Sequence, residues 1–205
     1  MPSIIQTDTL KDASASKTLA EYASGNWSWG SGCPSGTQIG YNYHFKDNTQ
    51  EISISGSNTG NVITFNTNSS TQITAKGTNS LFEITAHVSF GQDEGIYPAF
   101  FIAHSTDGSN FTDIVGPSLG VRTRATFGGQ YGAEETAEDV RLFQSSMSVV
   151  VSPSLSAGST FYYQLRGTNR GAGATPALKI NFTSDNTDAN RITGVTFLKC
   201  VEIAQ

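Results

Sequence analysis

Charge is scarce in this sequence, and the basic residues are scattered. Only 14% of the 205 residues are charged, and 17 acidic against 12 basic side chains leave a net charge of −5. Proteins that bind a phosphate backbone cluster their Lys and Arg side chains, but the closest pair here, Arg122 and Arg124, stands alone. Binding to nucleic acid is therefore not expected.

Long apolar runs are also missing. No stretch approaches the roughly 20 apolar residues that cross a bilayer as a helix, so no membrane partner is expected. The opening, MPSIIQTDTL, has neither the basic segment nor the apolar core of a secretory signal. We expect the chain to fold in a cytosol, where its two cysteines, Cys33 and Cys200, remain free thiols.

Residues suited to catalysis or to metal binding are few and dispersed. The three histidines, His44, His87 and His104, lie far apart, and no Cys or His pair has the spacing of metal ligands. Histidines placed in this way are expected to face solvent. The nucleophile elbow Gly-x-Ser-x-Gly does not occur.

Six of the 17 acidic residues fall in two groups that are typical of solvated loops. A glycosidase needs two carboxylates on either side of a cleft, and a calcium site needs about six or seven oxygen ligands. Residues 107–110 also offer oxygen atoms, but Asp107-Gly108 between apolar segments is a hairpin signal. We predict no catalytic residue, no metal site and no cofactor. The two acidic groups are Glu134, Glu135, Glu138 and Asp139, and Asp93 with Glu94.

The sequence does contain many short stretches in which apolar and polar residues alternate, which is the pattern of strands with one buried face. Residues 81–90 alternate most clearly. Their apolar face consists of Phe82, Ile84, Ala86, Val88 and Phe90. The predicted strands are residues 41–45, 51–55, 62–66, 72–75, 81–90, 97–104, 114–115, 122–127, 145–152, 161–166, 177–182 and 192–203.

Many short strands separated by turn signals, with no convincing helix, indicate an all-β fold. We predict a jelly-roll β-sandwich domain at residues 40–205 and a short extended N-terminal arm at residues 1–39. The best helix candidate, residues 133–143, equally reads as an acidic loop.

Two stretches dominate the predicted domain. Segment 159–167 has Phe161, Tyr163 and Leu165 on one face, and Tyr162, Gln164 and Arg166 on the other. Segment 191–203 is predicted as its neighbour in the sheet. Because segment 191–203 is apolar on both faces near its end, it needs cover from its own domain and from a second subunit. The face of Tyr162 is then a candidate assembly surface.

The arm has too little apolar content to bury a core of its own. The pattern Thr18-Leu-Ala-Glu21 has the form of a helix capping box, but Gly25 limits any helix to about one turn. We expect the arm to become ordered by packing on its domain, on sister subunits or on a larger assembly. The residues predicted to anchor it are Ile4, Ile5, Leu10, Trp27 and Trp29.

Two regions resemble known proteins. The opening, IIQTDTLKDASASKTLAEYASGNWSWG, is similar to the N-terminal stretch of bacteriophage virion fibre and decoration proteins, in which a short strand of this type introduces the domain. Three later segments, RTRATFGG, FQSSMSVVVSPSLSAGSTFYYQLRG and ITGVTFLKCVEI, resemble the trimeric jelly-roll head of the same proteins, which is similar to tumour-necrosis-factor-like domains. The hydrophobic-Glu-hydrophobic ending of that pattern is met by Val201-Glu202-Ile203.

The resemblance implies a non-enzymatic protein of the virion surface, a homotrimeric capsid decoration (cement) or short fibre protein. Its partners would be major capsid or tail proteins, and a host-surface glycan for a fibre. Residues 46–79 depart from the pattern, and the lack of a long shaft favours a compact trimer. The residues expected at the trimer interface are Tyr162, Tyr163, Val195, Phe197 and Leu198.

A second function class stays open beside the virion protein. Tyr41, Tyr43, Trp27 and Trp29 are amphipathic rings that suit the faces of sugars. The chain would then be a glycan-binding module or receptor-recognition head, although alternate aromatic residues also fit core packing or subunit contact. An enzyme is the third class.

Overall fold

The computed structural model describes residues 9–11, 18–23, 26–29, 34–52, 60–65, 71–92, 98–118, 124–128, 142–169, 178–182 and 193–205. Within these ranges every regular element is a β-strand. No helix in this part of the chain is long and apolar enough to cross a membrane. Short alternating segments rich in aromatic and β-branched residues account for this all-β structure.

The predicted strands are found close to their predicted positions, because each of the twelve overlaps one of the strands β4 to β15. The strands are β1 (Thr9–Lys11), β2 (Thr18–Ala23), β3 (Asn26–Trp29), β4 (Gln38–Lys46), β5 (Gln50–Ile52), β6 (Asn61–Val62), β7 (Thr71–Thr74), β8 (Leu81–Gln92), β9 (Pro98–Ser105), β10 (Thr112–Ile114), β11 (Phe127–Gly128), β12 (Phe143–Val151), β13 (Thr160–Asn169), β14 (Leu178–Ile180) and β15 (Thr196–Ile203).

Strands β1, β2 and β3 form a three-stranded antiparallel sheet. The stretch with the capping-box pattern is part of β2, so the prediction of a helical turn there is wrong. A single helical turn fixes several residues for one hydrogen bond, whereas β2 pairs on both sides, with β1 and with β3. In this register Trp27 lies opposite Tyr22, and Trp29 lies opposite Ala20. The division at residue 39 into an arm and a domain stays a prediction.

The remaining strands form two antiparallel sheets of six strands each. The first sheet has the order β4–β15–β8–β12. Beyond the start of β15, the last residues of β8 pair with β14, and β14 pairs with β5. In the second sheet β13 and β9 are central, β6 and β7 flank β13, and β10 and β11 flank β9. Counting β4/β5, β6/β7, β10/β11 and β14/β15 as one interrupted strand each, strands 1, 3, 6 and 8 form one sheet and strands 2, 4, 5 and 7 the other. This is the order of a jelly roll, as predicted.

The core lies between the two sheets and is made by the inward faces of their strands. Phe82 of β8 stacks on Phe161 of β13 with ring centroids 4.3 Å apart, and Phe90 packs against Phe100 at 5.2 Å. The predicted inward face of residues 81–90 is confirmed, since none of its five side chains has any exposed surface. Burying each Phe contributes about 1.5–3 kcal/mol. This cross-sheet layer holds the sandwich together.

The predicted pairing of segment 159–167 with segment 191–203 is wrong. Strand β13 lies in the second sheet and pairs with β9, β6 and β7, whereas β15 lies in the first sheet between β4 and β8. Alternation with a period of two indicates which side chains of a strand are buried. It does not indicate whether the strand that shares the core with it is a neighbour in the same sheet or lies in the facing sheet. Leu198 and Cys200 of β15 accordingly face the core, and Phe197 faces outward.

A buried asparagine joins four segments of the first sheet. The Asn181 backbone N–H donates to the Ser89 carbonyl (2.8 Å), and its side-chain amide donates to the carbonyls of Lys46 (2.8 Å) and Asn48 (3.0 Å). The Thr196 hydroxyl donates to the Asn181 side-chain oxygen (2.7 Å) and accepts from the Ser89 N–H (3.1 Å). Asn181 has a φ of 68°, a left-handed conformation in which Asn is enriched. It fills the break along β8 between β14 and β15.

A buried carboxylate ties the last strand to the turn after β7. Glu202 has no exposed surface, and its oxygens accept hydrogen bonds from the backbone N–H groups of Lys76 (2.8 and 2.9 Å) and Gly77 (2.8 Å). Gly40 makes room for it, since a Cβ there would lie 3.0 Å from a Glu202 oxygen. This contact gives a structural role to the glutamate of the Val201-Glu202-Ile203 ending.

We expect Glu202→Gln to lower the free energy of unfolding by about 1.5–3 kcal/mol, the range for hydrogen bonds to charged groups. The amide of Gln would point an N–H group at the donors of Lys76 and Gly77. Urea unfolding at pH 7 measures the loss. Glu83→Gln, which removes a charge from the outer face of the same sheet, is the control and should change stability by less than about 0.5 kcal/mol. Equal, small changes in both variants would contradict this role of Glu202.

Candidate functional site

The outer face of the first sheet exposes a row of aromatic side chains. On β4, Tyr41, Tyr43 and Phe45 point away from the core and are 67%, 48% and 44% exposed. They alternate with Asn42 and His44, which are partly buried. An alternating strand normally turns its apolar side inward, but here the aromatic side faces solvent.

The adjacent strands continue this surface. Phe197 of β15 lies opposite Phe45 on one side and opposite His87 of β8 on the other. Its ring stacks on Tyr43 with centroids 5.4 Å apart and on His87 at 5.2 Å. Val195, just before β15, is 43% exposed. We call Tyr41, Tyr43, Phe45, Val195 and Phe197, together with Val150 at the far side on β12, the aromatic face.

Polar side chains lie within the same surface. Lys199 on β15 is opposite Tyr43 on one side and Thr85 on the other, and Glu83 on β8 is opposite Val150. The hydroxyls of Thr85 and Ser148 hydrogen-bond to each other. The surface therefore combines exposed rings along one edge with hydroxyl and charged groups toward the middle.

The outer face of the second sheet is different because the chain covers it. Ala99, Phe101 and Ala103 of β9 alternate outward but are at most 8% exposed. Gly60 lies so close that a Cβ there would be 3.2 Å from the Phe101 ring. Among the described residues, five of the six strongly exposed large apolar side chains lie instead on the aromatic face, and Met147 is the sixth. One outer face is thus covered by the chain, and the other is open.

The residues predicted for a trimer interface do not form one patch. Tyr163 and Leu198 have no exposed surface and belong to the core, so their assignment to an interface is corrected. Val195 and Phe197 lie on the aromatic face. Tyr162 lies on the opposite side of the sandwich, where its ring packs on the turn at Gly108. The surviving candidates therefore occupy two opposite surfaces.

The outer face of β13 is more covered than its sequence predicts. Gln164 is only 6% exposed. Arg166 forms an ion pair with Asp113 at 3.2 Å, bonds the Gln164 side chain, and lies over the Phe111 ring at 5.6 Å. Burial raises the pKa of the Asp113 carboxyl, and the charge of Arg166 opposes that rise. The β9–β10 hairpin thus shields part of the predicted assembly surface.

The predicted anchor residues are only partly described. Leu10 is in β1, and Trp27 and Trp29 are in β3. Ile4 and Ile5 lie outside the described residues, as do Cys33 and both acidic groups. The prediction of an anchor therefore stays a prediction.

The histidines do not all face solvent as predicted. Nε2 of His44 and Nδ1 of His104 are buried, and the two rings lie 6.0 Å from Tyr163 and 5.9 Å from Phe161. Burial lowers the pKa of His44, His87 and His104. In the described part of the chain, no group of three or more His, Cys, Asp or Glu side chains could hold a metal ion.

The remaining candidate groups have structural roles. Asp107 turns the β9–β10 hairpin, and hydrogen bonds from the backbone and side chain of Asn110, the Ser109 N–H and the Ser105 hydroxyl hold its pKa far below the usual value. Gly108 in this turn has a φ of 74°, as the hairpin signal predicts. Cys200 is a buried free thiol whose pKa is raised by burial and by Glu202.

Sequence reasoning named Tyr41 and Tyr43 but missed Phe45 and Val150. The signal for Phe45 was present, because Tyr41-x-Tyr43-x-Phe45 continues a single alternation. What the alternation did not indicate is which of the two faces of β4 is buried.

No protein-family model matches this chain, and no curated protein sequence matches it. Among solved structures, one of the Gt strain of infectious bursal disease virus aligns with a TM-score of 0.41 at 12% identity, covering 92% of this chain and 44% of that chain. One of the Gx strain aligns with a TM-score of 0.36 at 14% identity, covering 82% and 38%. This chain spans less than half the length of either matched chain. Similarity of this degree supports no statement about function.

Proposed function

We propose that this protein is a non-enzymatic structural protein of a bacteriophage virion, a homotrimeric capsid decoration or short fibre protein on the particle surface. One observation carries the proposal: four of the six strongly exposed large apolar side chains of the described residues, Tyr41, Tyr43, Phe45 and Val195, lie together at one edge of the aromatic face. Contiguous apolar surface on a soluble protein marks a site of interaction. A protein surface is a suitable cover for it, because each Å² of apolar area removed from water contributes about 25 cal/mol.

The predicted interface residues lie at two separate positions, and this supports a trimer. A ring of three copies needs a heterologous contact, in which one patch of a subunit meets a different patch of the next. Val195 and Phe197 on the aromatic face supply one patch, and Tyr162 on the opposite side of the sandwich supplies the other. Two separate patches of this kind are compatible with such a ring.

The resemblance to phage decoration and fibre proteins is compatible with this fold. Residues 143–167 of the resembling segments contain β12 and most of β13, and residues 192–203 contain β15. Glu202 within the last segment holds the backbone of Lys76 and Gly77. These segments therefore carry the strands and the buried contact on which the sandwich depends.

In this role the mechanism is physical. Residues 1–39 would anchor the trimer to major capsid or tail proteins. A decoration protein that binds only the assembled lattice stabilises that lattice by mass action. A short fibre would instead present its outer loops to the host surface.

We expect light scattering on the purified chain to give three times the mass of one chain, or a multiple of that trimer. Phe45→Glu should shift the protein toward monomers by at least tenfold in dissociation constant, because it buries a carboxylate in each of three contacts. Ser156→Glu makes a similar change in the exposed turn between β12 and β13, away from both patches, and serves as the control. A stable monomer or dimer of the unmodified chain would contradict the trimer.

Deleting residues 1–30 tests the virion role. The truncated chain should keep the circular dichroism spectrum of a β-protein, because no strand of the two large sheets is removed. It should fail to incorporate into particles when it replaces the full chain in an infected host. Gel quantification of purified particles measures incorporation, with the full chain as reference. Equal incorporation of both chains would refute the anchor, and absence of the full chain from particles would refute the virion role.

Glycan recognition is the second candidate, and the exposure of Tyr41 and Tyr43 favours it. Their rings could stack on sugar faces, with Lys199 directly opposite Tyr43 on the adjacent strand for hydrogen bonds. This use of the aromatic face competes with its burial in a trimer.

On a glycan array, a glycan-binding head should show saturable binding that Tyr41→Ala and Tyr43→Ala each weaken by about threefold to tenfold, the equivalent of one aromatic stacking contact. Thr74→Ala on the second sheet is the control. No binding by the full chain would remove this candidate, and cleavage of a bound glycan would indicate an enzyme instead.

A further inference from the structure

The edges of the two sheets are protected to very different degrees. An edge strand presents unpaired N–H and C=O groups, and proteins blunt such edges with short strands, bulges, charges or cover. In the second sheet both edges are short, because β6 and β11 have two residues, β10 has three and β7 has four. Such short strands offer few backbone N–H and C=O groups for pairing with another chain.

The β4 edge of the first sheet is long but tied down. The Asn42 side chain donates to the Gln72 carbonyl of β7 at 2.8 Å, and Lys46 Nζ donates to the Thr64 carbonyl at 2.9 Å. The pairing of β4 with β15 also contains an irregularity between Glu202 and Ile203. Side-chain hydrogen bonds therefore tie this edge to the second sheet.

Among the described residues the β12 edge has one such tie, from the Ser145 hydroxyl to the Gly128 carbonyl of β11 at 2.9 Å, and it is otherwise unprotected. Its nine residues, FQSSMSVVV, include no charge and no proline. Its register with β8 runs unbroken from Phe143 to Val151, and no described strand pairs with its other side. Met147 at its midpoint is 41% exposed, and Val150 is 57% exposed. A long, uncharged and regular edge is a template for strand addition.

We propose that β12 pairs edge to edge with β12 of a second copy of this chain, antiparallel and around a twofold axis at Met147. The midpoint register gives full overlap of the nine residues and so the largest number of backbone hydrogen bonds. It places Ser146 opposite Ser148 of the second copy, and Phe143 opposite Val151.

The absence of charge points to a second copy as the occupant. Twofold pairing of a strand with itself brings identical side chains close together, which is unfavourable when they carry charge. In β12 the central residues are Ser, Met and Ser, so nothing opposes self-pairing. The two first sheets then form one continuous sheet, and the aromatic faces of both copies lie on the same side of it.

A cysteine pair tests the register. In the Cys33→Ser background, Met147→Cys should form a disulfide-linked dimer under mild oxidation, because residues directly opposite in an antiparallel pair have Cα atoms about 4.5–5.5 Å apart and disulfides span about 4.4–6.8 Å. Val150→Cys is the control: it is even more exposed, but in the proposed register its two copies are about 20 Å apart along the strands. Cys200 is buried and does not compete.

Rapid cross-linking of Met147→Cys with little of Val150→Cys supports the proposal. No cross-linking, or equal cross-linking at both positions, overturns it, since random collision or a different partner would give those results.

Charge exchange provides a second test that needs no oxidation. Ser146→Lys with Ser148→Lys should abolish the pairing seen by light scattering, because the register sets Lys against Lys. Ser146→Lys with Ser148→Glu should retain it, because each Lys then faces a Glu of the other copy. Circular dichroism checks that both variants fold. Loss of pairing in both folded variants, or in neither, overturns the register.

Light scattering on the unmodified chain and on the Lys/Lys variant distinguishes edge pairing from the trimer. If both proposals hold, the unmodified chain forms trimers that associate further and the Lys/Lys variant remains trimeric. If only edge pairing holds, the unmodified chain is a dimer and the Lys/Lys variant is a monomer. If only the trimer holds, both proteins are trimers and edge pairing is refuted.

Discussion

Strand β8 is the central strand of the first sheet, because it pairs with three other strands. Its first half pairs with β15, its last three residues pair with β14, and β12 runs along its other side. The break between β14 and β15 would leave the Ser89 backbone groups without ladder partners, and buried unpaired groups cost roughly 1–3 kcal/mol each. Asn181 and Thr196 supply the missing partners. The twelve-residue length of β8 and this polar bridge together allow two short strands to act as one.

The inner face of β8 also fixes the second sheet, through Phe82 on Phe161 and Phe90 on Phe100. The sequence predicted this much well, because the alternation in residues 81–90 is a local signal. Each of the twelve predicted strands overlaps an observed strand, some by a single residue, and the jelly-roll class follows from them. Pairing was not predictable in the same way. Strands β13 and β15 each show a buried face, but whether two such strands are neighbours or face each other across the core depends on contacts between distant residues.

The same limit explains the errors at the site. Tyr163 and Leu198 were placed at an interface because their strands are rich in apolar residues, yet both side chains lie in the core. His44 was expected in solvent, but the aromatic residues of β4 point outward and so turn His44 toward the inside. In each case the sequence showed that the strand, β4, β13 or β15, has two distinct faces. Only the position of the strand in the sandwich decides which face is covered.

The aromatic face and the β12 edge use different directions of the same sheet. A partner on the aromatic face lies above the sheet, whereas a strand that pairs with β12 lies beside it in the same plane. Covering the face therefore leaves the edge accessible. The proposed trimer has three β12 edges, so the proposed edge pairing would close two trimers into a hexamer when its twofold axes meet the threefold axis at right angles. In any other orientation it would join trimers into an open network.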